Sequence, residues 1–101
     1  MSHYIYIIYS ITMDKYYVGY SKDPWLRLIQ HNANSKEKYT GRAKDWVLAA
    51  IFNVKDELIA VRLERFIKKQ KSRALIVKLC QEEFIPEGEL AQLVRVPHLR
   101  D

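Results

Sequence analysis

Two runs rich in tyrosine and isoleucine open the chain, with one short polar break between them. This arrangement constrains the fold more than any other feature. Residues 3–10, HYIYIIYS, alternate and suit a pleated, half-buried strand. The ITMDK that follows is polar enough at Asp14 and Lys15 to turn. Residues 16–21, YYVGYS, then read as a second strand folded back on the first as a hairpin. At a period of two, Tyr4, Tyr6 and Ile8 share one face of the first strand. On the second strand Tyr17, Gly19 and Ser21 share one face, and Tyr16, Val18 and Tyr20 the other. A tyrosine on such a strand more often packs than reacts. Gly19 is the exception. Glycine inside a strand forfeits packing and chain entropy, so it marks a bulge or the close approach of another group.

Beyond the hairpin, Asp23 can cap a helix and Pro24 suits its first position, which predicts a helix to about Asn32. Residues 33–45 are polar and read as a loop. WVLAAIF, 46–52, is a third, buried strand. Asp56 opens a long helix to about Gln70, and Ser72 caps a shorter one to about Leu79. Pro86 and Gly88 interrupt the chain, and 87–94 has room for a short helix. The order β-β-α-β-α-α predicts an α+β fold, a small three-stranded, mainly antiparallel sheet flanked by helices. With 101 residues, 49% of them hydrophobic, one domain with a modest core is expected. We divide the chain into a domain over 1–80 and an acidic tail over 81–101.

The apolar start lacks a basic leader and a cleavage site, and is too short to span a bilayer, so no membrane partner is expected. Cys80 is the sole cysteine, which excludes an intramolecular disulfide and a cysteine-based zinc site. A reducing cytoplasm is the expected setting. The net charge is +5, but residues 82–101 carry five acids against two bases, leaving about +8 on residues 1–81. A basic body attracts polyanions such as nucleic acid.

On the first helix, Trp25, Leu28 and Ile29 fall on one side and are expected to face the sheet. Arg27 and His31, four apart, lie opposite or flanking and are expected to point away from it. On the long helix, Ile59, Leu63, Phe66 and Ile67 form the core stripe, with Glu64 at its edge. Glu64 is the one acid between Leu58 and Cys80, among seven basic residues. It reads either as an i,i+4 partner of Lys68, worth about a few tenths of a kcal/mol, or as a hard oxygen ligand for Mg²⁺.

In order, these residues resemble the GIY-YIG nuclease family. Tyr4-Ile5-Tyr6 is similar to the first half-motif and Tyr17-Val18-Gly19 to the second, with Tyr6 and Tyr17 11 positions apart. The resemblance implies that Arg27 and His31 on the following helix and Glu64 on the long one complete the site. Lys38-Tyr39-Thr40 and FIKKQKSR also look like the small, single-domain bacterial members. The resemblance covers about residues 3–80. Tyr4 stands where the family carries a glycine, which would narrow the entrance to the site. No counterpart is clear for the Asn that some members carry after the metal-binding Glu.

The resemblance implies a metal-dependent endonuclease with Tyr6, Tyr17, Arg27, His31 and Glu64 as catalytic residues and Gly19 in a structural role. Glu64 would hold one divalent ion, Mg²⁺ or Mn²⁺, and Arg27 has a fork that matches two phosphate oxygens. Tyr17 or Tyr6 would be the base, the other orienting water or substrate. His31 would accept a proton from tyrosine or contact phosphate. A free tyrosine ionises near about 10, so its surroundings decide whether it serves. Lys22, Lys68, Lys69, Lys71 and Arg73 are the expected contacts to the nucleic-acid backbone, which we take to be DNA, with a role in repair or structure processing. A non-catalytic nucleic-acid-binding module and a protein-interaction domain are the alternatives. The sequence leaves monomer and homodimer open.

Overall fold

The computed structural model describes residues 3–33 and 43–97. Strands β1 (His3–Ser10) and β2 (Lys15–Ser21) form the hairpin, followed by helix α1 (Pro24–Ala33). Strand β3 (Trp46–Val54), helices α2 (Glu57–Gln70) and α3 (Arg73–Leu79) and strand β4 (Val94–Val96) complete the order. The sheet therefore has four strands where the sequence predicts three, in the order β2-β1-β3-β4, with every pairing antiparallel. The fourth strand follows the stretch expected to be helical. Gly88 sits in the left-handed region at φ 61, so no α-helix runs through it, and only a 3-10 turn forms over Gly88–Leu90. Val94 and Val96 then pair with Asn53 and Ile51, and Arg95 lies over the Phe52 ring at 4.8 Å.

The helix starts follow local chemistry. Asp23 Oδ1 accepts the Leu26 N–H at 3.0 Å, Asp56 Oδ1 that of Ile59 at 2.9 Å, and Ser72 Oγ that of Leu75 at 3.1 Å. Each satisfies a donor that a helix end leaves orphaned.

Helices cover the sheet on both sides, so β1 is buried at four consecutive residues, Ile5 to Ile8. On one side Ile5, Ile7, Val18 and Phe52 pack with Ala60, Leu63 and Ile67 of α2 and Leu79 of α3. On the other, Tyr6, Ile8, Trp46 and Ile51 pack with Trp25 and Leu28 of α1. A bulge interrupts the pairing of β3 with β1. Ile7 lies opposite Ala50 but Ile8 opposite Leu48, so Ala49 is the extra residue. Leu90 and Leu93, 6% and 5% exposed, belong to the α2-side core, so residues beyond Gln81 are built into the same folded unit.

The hairpin turn is held from two directions. Asp45 accepts from the Ser10 hydroxyl at 2.6 Å and from the Thr12 N–H and hydroxyl at 2.9 and 2.8 Å. These bonds, Ser10's first, hold its carboxyl at about 2. Asp14, at φ 51, receives Arg73 from α3 on its carboxylate at 2.6 Å and its carbonyl at 2.9 Å. Among the described residues no helix is long and apolar enough to cross a membrane.

Candidate active site

Tyr6 projects from the middle of β1 on the α1 side and is 1% exposed. Gly19 lies directly opposite it across the hairpin. A Cβ on Gly19 would sit 2.6 Å from both Cζ and the hydroxyl oxygen of Tyr6. The glycine is therefore the space that the end of the Tyr6 ring occupies, the close approach expected of a glycine within a strand.

The Tyr6 hydroxyl meets His31 Nε2 at 2.8 Å. This corrects the expected orientation of α1. His31 does not point away from the packed face but is 1% exposed, while Ile29, expected to face the sheet, is 64% exposed. The buried face runs from His31 through Leu28 to Trp25 and reaches the sheet as one arc. An imidazole can enter that arc because the tyrosine hydroxyl satisfies it.

Arg27 stands one turn before His31, half-buried, and donates toward the same Tyr6 hydroxyl. Its Nη1 also donates to Gln30 Oε1 at 2.7 Å, which fixes the plane of the guanidinium. A guanidinium can only donate, so the Tyr6 oxygen accepts from it and keeps its O–H and a second lone pair for the contact with His31 Nε2. The Tyr6 pKa is pushed up to about 12, mainly by burial, with Arg27 offsetting part of the rise and Tyr17 and Glu64 adding to it.

Tyr17 is half-buried on β2, with its ring 5.2 Å from that of His31. Lys68 of α2 places Nζ 4.9 Å from the Tyr17 ring centroid and 3.7 Å from Glu64 Oε1. The Glu64 side chain is 17% exposed and close enough to act on the charge of Tyr6. Because β2 is the edge strand, side chains from both sides of the sheet meet along it. Four elements thus bring two tyrosines, an arginine, a histidine and a carboxylate to one place.

A family model described as the GIY-YIG catalytic domain matches residues 2–77. The chain belongs to this family. Comparison with curated proteins and with solved structures gave no match. As a GIY-YIG domain the chain is a nuclease, a phosphodiester hydrolase whose substrate is nucleic acid, in a family that generally uses divalent metal ions.

The donor set fits a hard divalent ion. Among the described residues no group of three or more His, Cys, Asp or Glu is arranged to hold a metal, and Glu64 is the carboxylate that would hold one. Its pair with Lys68, at 3.7 Å, is longer than a charge-assisted hydrogen bond and leaves carboxylate lone pairs to a cation. Ions that keep several waters and take phosphate oxygens need no more from the protein.

The remaining expected residues are spread around this centre. Lys22 is exposed between β2 and α1, Lys69 in the last turn of α2, and Lys71 just after it in a left-handed cap at φ 49. Arg73 is tied to Asp14 and lies 5.1 Å from the Tyr16 ring centroid. Tyr4, in place of the family glycine, meets Trp25 edge-on at 5.8 Å. Lys38-Tyr39-Thr40 lies outside the described residues. Two supporting residues escaped the sequence. Gln30 steadies Arg27, and Asn32 joins α1 to the backbone of Trp46. The one signal for Asn32 is that asparagine is a weak helix former whose amide readily bonds backbone groups.

Proposed function

We propose that this GIY-YIG domain is an endonuclease that uses Mg²⁺, or Mn²⁺ in its place, to hydrolyse DNA, in repair or in the processing of unusual structures. The observation that supports it is the convergence of Tyr6, Tyr17, Arg27, His31 and Glu64 around one buried hydroxyl. A module that only binds nucleic acid has no use for a buried tyrosine–histidine pair beside a carboxylate.

The roles follow from exposure and charge. Tyr6 stays protonated at neutral pH, so it orients substrate or water and is not the base. Tyr17 is more exposed, and the Lys68 ammonium over its ring favours the negatively charged phenolate, the form in which a tyrosine can accept a proton from water. His31, bonded to the Tyr6 hydroxyl at 2.8 Å, keeps that hydroxyl aimed. Arg27 has five N–H donors, enough to keep Tyr6 and Gln30 and still meet a phosphate oxygen. Glu64 would hold the ion, which when bound supplies Lewis-acid stabilisation of phosphate charge and of the leaving oxygen. Lys22, Lys68, Lys69 and Lys71 would contact the backbone without reading bases. The lone Cys80 suits a reducing, cytoplasmic setting. One such centre cuts one strand, so a concerted double cut would need two copies.

The test is cleavage of labelled single-stranded, duplex, nicked, flapped and branched DNA, with RNA counterparts, with and without Mg²⁺ or Mn²⁺. Wild type should give metal-dependent products, and Glu64→Ala should lower the rate by at least about a hundredfold. Binding without products from either protein would replace this reading with a non-catalytic nucleic-acid-binding module.

A further inference from the structure

We infer that the cleft beside β2, where α2 passes into α3, is a subsite for one unpaired nucleotide next to the scissile phosphate. This rests on the nuclease reading above and adds the form of the substrate. The cleft has a volume of about 300 Å³, at the lower end of ligand-sized sites. Val18, Ile67 and Ile76 give it an apolar floor. Lys15, Lys68, Lys71 and Arg73 stand around it, and no acid lines it. Asp14 and Glu64 pair with Arg73 and Lys68 just outside, which leaves about two positive charges in excess.

Lys71 is the more telling of these. It forms no ion pair among the described residues, and it occupies a left-handed helix cap, φ 49 and ψ 40. Glycine takes that conformation without the Cβ penalty a lysine carries. A strained position that keeps a cation at the rim of a cleft is where a ligand is to be sought.

An apolar floor under a cationic rim matches a flat base that carries a phosphate. Tyr17 and Lys68 line both this cleft and the catalytic centre, so its occupant is continuous with the strand being cut. A base inside a duplex is stacked and paired and cannot enter. The nucleotide must already be unpaired, as in a single strand, flap or bulge, or else be extruded at a cost.

The test uses wild type in EDTA and Glu64→Ala in parallel, so that binding is read without cutting. Single-stranded, flapped and blunt duplex DNA are compared, and one abasic site is stepped along the single strand. Single-stranded and flapped DNA should bind more tightly than duplex. One abasic position should weaken binding by at least about fivefold while its neighbours do not. Lys71→Gly should weaken binding and lower the salt slope by about one, with its melting temperature unchanged or raised. Equal binding of blunt duplex, a flat abasic series, or Lys71→Gly binding like wild type would overturn the subsite. Position-dependent binding without cleavage by wild type in Mg²⁺ would keep the subsite and remove the nuclease reading, so the two fail separately.

Discussion

The Tyr6 hydroxyl gathers more of this site than any other atom, and its ionisation offers a direct test of the arrangement. Burial raises its pKa from the ordinary value of 10.0 to about 12. The folded chain therefore holds this proton more tightly than the unfolded one. Below about pH 10 both states are protonated and the full contribution to stability is present. As pH rises through about 12 the unfolded chain has already ionised, and the contribution is lost. A shift of two units corresponds to about 2–3 kcal/mol. Tyr6→Phe leaves His31 Nε2 buried without its 2.8 Å partner, so it should cost about 1–3 kcal/mol near neutral pH. Phenylalanine does not ionise, so the advantage of wild type over the variant should shrink or reverse between about pH 10 and 12. Urea unfolding of both proteins at each pH reads this difference. A gap that stays constant would mean that the hydroxyl is not buried in the folded state. Much of this was legible beforehand, since the Tyr6 and Tyr17 spacing and Gly19 pointed to one place. That His31 meets a tyrosine was one of two roles the resemblance left open, and which tyrosine it meets was not legible, because the contact joins residues 25 positions apart.

At the level of elements, legibility followed the range of the interactions that set each one. The starts of α1, α2 and α3 were readable because each capping side chain acts within its own first turn. The facing of α1 was not, because a polar residue enters a core only where a distant partner satisfies it. The three residues of β4 were missed because their pairing to β3 joins residues some forty positions apart. Asn32 acts over a shorter span, 14 positions, that is still beyond its own helix. Its side chain donates to the Trp46 carbonyl at 3.0 Å and accepts the Trp46 N–H at 2.8 Å. It thereby completes the edge of β3 as a strand would and fixes the last turn of the helix that carries Arg27 and His31. Asn32→Ala removes both bonds to Trp46 and should cost about 2 kcal/mol by denaturant unfolding. Nuclease activity should fall by more than about tenfold, since small displacements of a catalytic group are costly. Loss of stability with full activity would show that α1 is positioned without this clamp.

Across the whole molecule, the boundary of the family match and the boundary of the core do not coincide. The match ends at residue 77, yet Leu90 and Leu93 lie in the core with α2, and β4 closes the far side of the sheet. Composition alone suggested a separate acidic tail, because its five acids stand out against the basic body and its scattered apolar residues do not. In the fold Glu82, Glu83, Glu87 and Glu89 are exposed while Leu90 and Leu93 turn inward. Two buried leucines are worth roughly 3–6 kcal/mol, against a total of roughly 5–15 for a domain of ordinary stability. A chain ending at Gln81 would lose both and would uncover Phe52, Val54 and Leu79, which are at most 3% exposed in the full protein. That chain should show no cooperative thermal transition, or one lowered by more than about 10 °C. Calorimetry and near-ultraviolet circular dichroism of the two lengths decide the point. If the shorter chain melts as the full one does, residues beyond Gln81 are an appendage. If it does not, the catalytic face built by β1, β2, α1 and α2 depends on a strand at the opposite edge of the sheet, and changes in that strand will reach nuclease activity through stability alone.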